Sequence, residues 1–122
     1  MKVLIIENDK FTKSVYESEF HQENIEVEMT DNGEDGIKLA KETIPTLILM
    51  DLILPKKNGF DVIREIRNDK KLTKVPIVVA SMLSQETDIK EALEAGAMKY
   101  FPKDTYSLKQ IVQEVLKLLM TL

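Results

Sequence analysis

Three short runs, VLII (3–6), TLILM (46–50) and PIVVA (76–80), are apolar almost without interruption. Strands of this kind are covered on both faces, as happens when a parallel sheet carries helices on each side. Two further runs differ. IEVEM (25–29) alternates Ile25, Val27 and Met29 with Glu26 and Glu28, the pattern of a strand with one wetter face. MKYF (98–101) runs into Pro102, which cannot donate to a central ladder. Both therefore read as edges. Helical patterns lie between the runs: Phe11, Val15 and Phe20 share roughly one side of 10–22, Ile37, Leu39 and Ala40 mark 34–43, and Phe60, Ile63 and Ile66 mark 59–67. Ile89, Ala92 and Leu93 mark 85–95, with Gly96 placed to cap that helix. Leu108, Ile111, Val112, Val115, Leu116 and Leu119 form a last stripe, read as core.

Five successive strand-then-helix units predict an α/β fold, a three-layer sandwich with right-handed crossovers. With the second and fifth strands at the edges, the economical order is 2-1-3-4-5, the flavodoxin-like (βα)5 arrangement. The length of 122 residues suits one domain spanning 1–122. A net charge of −4 gives no basic face for nucleic acid. Without cysteine there are no disulfides and no thiolate metal sites. Glu7 interrupts the opening apolar run too early for a signal peptide, and no run is long enough to span a membrane.

Residues 47–55, LILMDLILP, contain a single polar group, Asp51. An unpaired carboxylate is costly to bury in such company. Open α/β sheets offer a resolution, because ligands bind beyond the carboxyl ends of their strands at the switch point, here between strands one and three. Strand one ends in Glu7-Asn8-Asp9, strand three in Asp51, strand four in Ala80-Ser81 and strand five in Pro102-Lys103. Acids, a hydroxyl and a lysine thus meet on one rim. Oxygen ligands suit a hard cation such as Mg2+, and a carboxylate beside that cation can attack a phosphoryl group. Lys103 and the Ser81 hydroxyl would help to neutralise the transferring oxygens. Taken singly, each residue has an ordinary reading: Asp51, Ser81 and Asn8 or Asp9 as caps, Lys103, Lys56 and Lys57 as solvated lysines, Tyr100 as edge packing, His21 as surface.

Together, VLIIEND, LILMDLILPKKNGFDV, VPIVVAS and EAGAMKYFPKD resemble, in order and spacing, the receiver domains of two-component response regulators, including the single-domain chemotaxis type. The resemblance covers the whole chain. It implies a cytoplasmic signalling module, not a conventional enzyme, working as a monomer or weak dimer with a histidine kinase or histidine phosphotransfer protein as partner. It implies Asp51 as phospho-acceptor. Glu7, Asn8, Asp51 and the Ile53 carbonyl would hold Mg2+. Ser81 and Lys103 would contact the phosphoryl group, Tyr100 would be the switch aromatic, and Pro55 and Gly59 would shape the loop after the acceptor. Phosphorylation would draw Ser81 inward and let the Tyr100 ring fill the vacated space, altering the surface of helix four, strand five and helix five.

Three positions depart from the family pattern. Asn8 stands where an aspartate is usual, which predicts weaker Mg2+ binding. Asp104 stands where a proline usually follows the lysine; a cis bond before a non-proline residue costs roughly 2.5–4 kcal/mol, so a trans bond is expected. Met82 replaces a small residue and would narrow access to Asp51. These departures support an alternative reading, a pseudo-receiver that binds partners without phosphate. A third, an electron-transfer flavoprotein of the same topology, would want a Ser/Thr/Gly-rich loop after strand one, where ENDKFTKS opens with acids.

Overall fold

A computed structural model describes residues 1–122. The elements alternate as read: β1 (Lys2–Ile6), α1 (Lys10–Gln22), β2 (Glu26–Thr30), α2 (Gly33–Thr43), β3 (Leu47–Met50), α3 (Gly59–Arg67), β4 (Ile77–Ser81), α4 (Glu86–Ala95), β5 (Lys99–Pro102) and α5 (Leu108–Thr121). A 3-10 turn, Lys70–Leu72, precedes β4. The five strands are parallel in the order β2-β1-β3-β4-β5, the flavodoxin-like topology. No helix is long and apolar enough to cross a membrane.

The near-continuous runs are explained by two cores, one on each side of the sheet. Leu4, Ile6, Ile48, Met50, Ile77 and Val79 face the layer of α2, α3 and α4. Val3, Ile5, Leu47, Leu49, Val78 and Ala80 face α1 and α5. Alternate side chains of one strand point to opposite faces, so a strand buried twice has no polar position to spare. In β2, Val27 and Met29 pack against the α1–α5 core while Glu26 stays exposed, as an edge strand requires.

Strand bounds sit one residue later than the runs suggest for β2, β4 and β5, and β3 starts one residue later. The apolar runs record burial, whereas the strands record ladder pairing; Pro76, for instance, contributes only a carbonyl, accepting from Ile48 N–H at 2.9 Å. The larger difference is in α1. Its buried face is Thr12, Tyr16 and Phe20, at intervals of four, and Phe11 is 70% exposed. Asp9 sets this phase by capping the helix: its carboxylate accepts from Thr12 N–H at 2.9 Å and from the Thr12 hydroxyl at 2.7 Å.

Side-chain caps recur at Asn32 for α2, Asn58 for α3 and Ser107 for α5, the last a reciprocal capping box with Gln110. Such caps contribute about 1 kcal/mol each. Alone among the five helices, α4 begins without one, since Gln85 makes no capping side-chain bond. At its other end Gly96 caps α4 as expected, with φ 127°, a conformation that favours glycine.

The loop between β3 and α3 is tightly specified. Gly59 N–H donates to Leu52 O at 2.8 Å, and a Cβ there would lie 2.9 Å from Asp51 O and closer still to Leu52 Cα. Lys56 in the same loop adopts φ 69°, which crowds its Cβ. Lys56→Gly is expected to stabilise the protein by about 1 kcal/mol, read as a higher urea midpoint with an unchanged slope.

Candidate functional site at the carboxyl rim

Parallel register aligns the ends of β1 and β3, with Ile6 opposite Met50, and carries β4 and β5 two residues further, with Met50 opposite Val79 and Ser81 opposite Pro102. Backbone bonds carry the alignment one residue further: Asp51 N–H donates to Ile6 O at 3.0 Å, Glu7 N–H to Thr30 O at 3.0 Å and Lys103 N–H to Ser81 O at 2.8 Å. Glu7 and Asp51 therefore leave the sheet side by side, and Lys103 leaves it two residues higher at the end of β5. The Lys103 ammonium donates to Glu7 Oε1 at 2.7 Å and to Asp51 Oδ2 at 2.8 Å. Each remaining carboxylate oxygen takes backbone donors. Asp51 Oδ1 accepts from Leu52 N–H at 2.6 Å and Ile53 N–H at 3.1 Å, and Glu7 Oε2 accepts from Asp9 N–H at 2.9 Å.

The trio forms the floor of an open cleft of about 380 Å³, walled by Asn8, Thr12, Ile53 and Met82. Glu7 is 3% exposed and Asp51 6%. Burial pushes the Glu7 carboxyl above the usual carboxylate range, an effect that the hydrogen bond from Lys103 only partly offsets. Burial alone would lower the Lys103 ammonium, but its bonds to Asp51 and Glu7 outweigh that and raise it. One lysine thus faces two buried carboxylates, leaving one negative charge uncompensated by side chains.

The donor set fits a hard divalent ion. It is made only of oxygens, contains no cluster of three acidic, histidine or cysteine ligands, and carries an excess negative charge in an open cleft. Mg2+ is commonly held by one or two carboxylates while keeping several waters. Glu7, Asp51, the exposed Asn8 amide and Ile53 all border the cleft where such an ion would lie.

The other candidates lie around this floor in different roles. Ser81 is fully buried and does not line the cleft; its Oγ accepts from Leu83 N–H at 3.3 Å. Tyr100 is half-buried against the α2–α3–α4 core, and its hydroxyl donates to Leu83 O at 2.5 Å. Burial, partly offset by Ser81, pushes its hydroxyl up to about 12. Met82 is 59% exposed and stands on the cleft wall rather than stoppering it. All peptide bonds are trans, including Lys103–Asp104. Asp9 also borders the cleft, with its carboxylate committed to capping α1.

Sequence reasoning missed Leu83, which joins Ser81 to Tyr100 through its two backbone groups. It also missed Tyr16, whose buried hydroxyl has no partner and is raised by burial and then by the nearby Glu7 and Asp51 charges. Only the spacing Thr12–Tyr16–Phe20 could have flagged the latter.

The family model for the response regulator receiver domain matches residues 3–116. The chain is 35% identical over 101 residues to the transcriptional regulatory protein AfsQ1 of Streptomyces coelicolor, covering 83% of this chain but 44% of that protein. It is 27% identical over 117 residues to protein PilH of Pseudomonas aeruginosa, covering 94% of this chain and 97% of PilH. The crystal structure of the Mn2+-bound form of the response regulator Rcp1 superimposes with a TM-score of 0.84 at 26% identity, over 93% of this chain and 90% of that one. With the family model spanning nearly its whole length, and with this fold, the chain belongs to the response regulator receiver domain family.

Proposed function

We propose that residues 1–122 act as one receiver domain, a phosphorylation-controlled switch in a two-component phosphorelay, with Asp51 as the phospho-acceptor. The reading rests above all on how Asp51 is held: buried at a strand end, open to a cleft, with Leu52 N–H, Ile53 N–H and Lys103 already on its oxygens. The donor is a phosphohistidine on a histidine kinase or phosphotransfer protein. A carboxylate oxygen of Asp51 attacks phosphorus, an O–P bond forms, and the donor's N–P bond breaks with its electron pair returning to the imidazole. No general base is needed, because the attacking carboxylate is already ionised.

Glu7, Asn8, Asp51 and the Ile53 carbonyl would hold Mg2+, which would supply positive charge to the transferring oxygens. Lys103 sits within reach of the same oxygens and remains to pair with the product. The acyl phosphate carries about −1.5 to −2 where the carboxylate carried one negative charge. Ser81, one strand over at the end of β4, is a buried hydroxyl the new oxygens can recruit, and recruiting it releases Leu83 N–H. That release passes the change to α4 and β5.

Acetyl phosphate with Mg2+ is expected to add one phosphoryl group to the protein by intact-mass spectrometry, and Asp51→Asn to abolish the gain. A protein that never gains mass would instead be a binding module. Asn8→Asp adds a charge to the cleft and is expected to tighten Mg2+ roughly thirtyfold in a titration, the scale of one unit charge facing a divalent ion at contact distance in water. Lys103→Met leaves two buried carboxylates without their cation and is expected to lower stability by about 3 kcal/mol in metal-free buffer. Added Mg2+ should recover part of that loss in the same urea titration.

A further inference from the structure

The two ends of α4 are attached to the protein in opposite ways. Only Ala92 of this helix is buried, so packing alone holds it loosely. Its first turn has no side-chain cap, and the chain leading into it is tied to the site through Leu83, by the long bond to Ser81 Oγ and the short one from Tyr100.

The carboxyl end is fastened from below by α3. Arg67 donates through Nε to Gly96 O at 3.0 Å and through Nη1 to Leu72 O at 2.9 Å. The guanidinium makes no ion pair with any carboxylate; its partners are two carbonyls, one capping α4 and one closing the 3-10 turn. Its stem fills the space beside Gly96, where a Cβ would lie 2.5 Å from Arg67 Cγ. One turn earlier, Arg64 Nη2 meets Glu91 Oε2 at 2.8 Å, a half-exposed pair that adds direction more than strength. Beyond the cap, Ala97 N–H bonds back to Ala92 O at 3.0 Å and Met98 N–H to Ile77 O at 2.8 Å, so the exit from α4 is locked into the sheet.

We propose that Arg67 is a positioning residue that pins the Gly96 end of α4, making the helix a lever that swings from its amino end when Ser81 lets go of Leu83. The planar fork suits this task, because two fixed donors hold two carbonyls at set angles where an ammonium would hold one. For its physiological trigger the lever rests on the phosphorylation reading above, but the pin itself does not.

Hydrogen exchange on the intact chain, without phosphodonor, separates the two. Ser81→Ala removes the acceptor of Leu83 N–H and is expected to speed exchange about tenfold over residues 82–90 while leaving 91–98 unchanged. Arg67→Met is expected to speed exchange over 91–98 by a similar factor, about tenfold, and Arg67→Lys by less. In the Ser81→Ala, Arg67→Met double variant the Ser81 effect should spread across all of 82–98. Spread to 91–98 from Ser81→Ala alone, or an Arg67→Met protein with 91–98 unaltered, overturns the pin. Neither result depends on whether Asp51 accepts phosphate, which the mass measurement decides separately.

Discussion

The Lys103 ammonium, shared between Glu7 and Asp51, is the contact on which the rim depends. It joins residues 96 and 52 positions away in sequence. Burying two carboxylates side by side would be strongly unfavourable without a cation between them. One lysine meets that need only in part, and the remaining negative charge makes the cleft receptive to a second cation. That excess charge gives a divalent ion an electrostatic reason to bind, since a site already neutral would have no use for one.

Everything that brings these three side chains together is backbone. Parallel pairing puts the last residues of β1 and β3 on one level, β4 and β5 run two residues further, and single hydrogen bonds from Asp51, Glu7 and Lys103 extend the ladder by one step. Gly59 then lets α3 start close beneath Asp51, where no side chain would fit. The site is thus an end effect of the sheet, which is why its residues come from four separate stretches of chain.

That origin also explains what the sequence disclosed. Strands buried on both faces leave uninterrupted apolar runs, so topology, edge strands and the rim residues Glu7, Asp51 and Lys103 could be read directly. Gly96 was legible because a left-handed cap calls for glycine. The face of α1 was not: Phe11 is the more apolar residue, but the Asp9 cap turns Thr12 and Tyr16 inward. Leu83 and Arg67 were beyond reach for another reason. Both act through backbone carbonyls or amides, and every residue has those, so no pattern of side-chain types reveals which one is used. Tyr100 stood out in the sequence as an edge-strand aromatic, but its bond to Leu83 O could not be foreseen, for the same reason.

The outer strand β2 has a further consequence. Its unpaired side is a ladder of open amides and carbonyls, the kind of surface on which another chain can add a strand. Glu26 and Glu28 stand on one face of this margin strand, and Lys2 on the neighbouring strand reaches Glu28 at 2.5 Å and Glu26 at 3.7 Å. A second copy approaching that margin would bring its own glutamates against these. The charges that mark β2 as peripheral therefore also discourage edge-to-edge aggregation, a safeguard for any protein that must stay dissolved at high concentration.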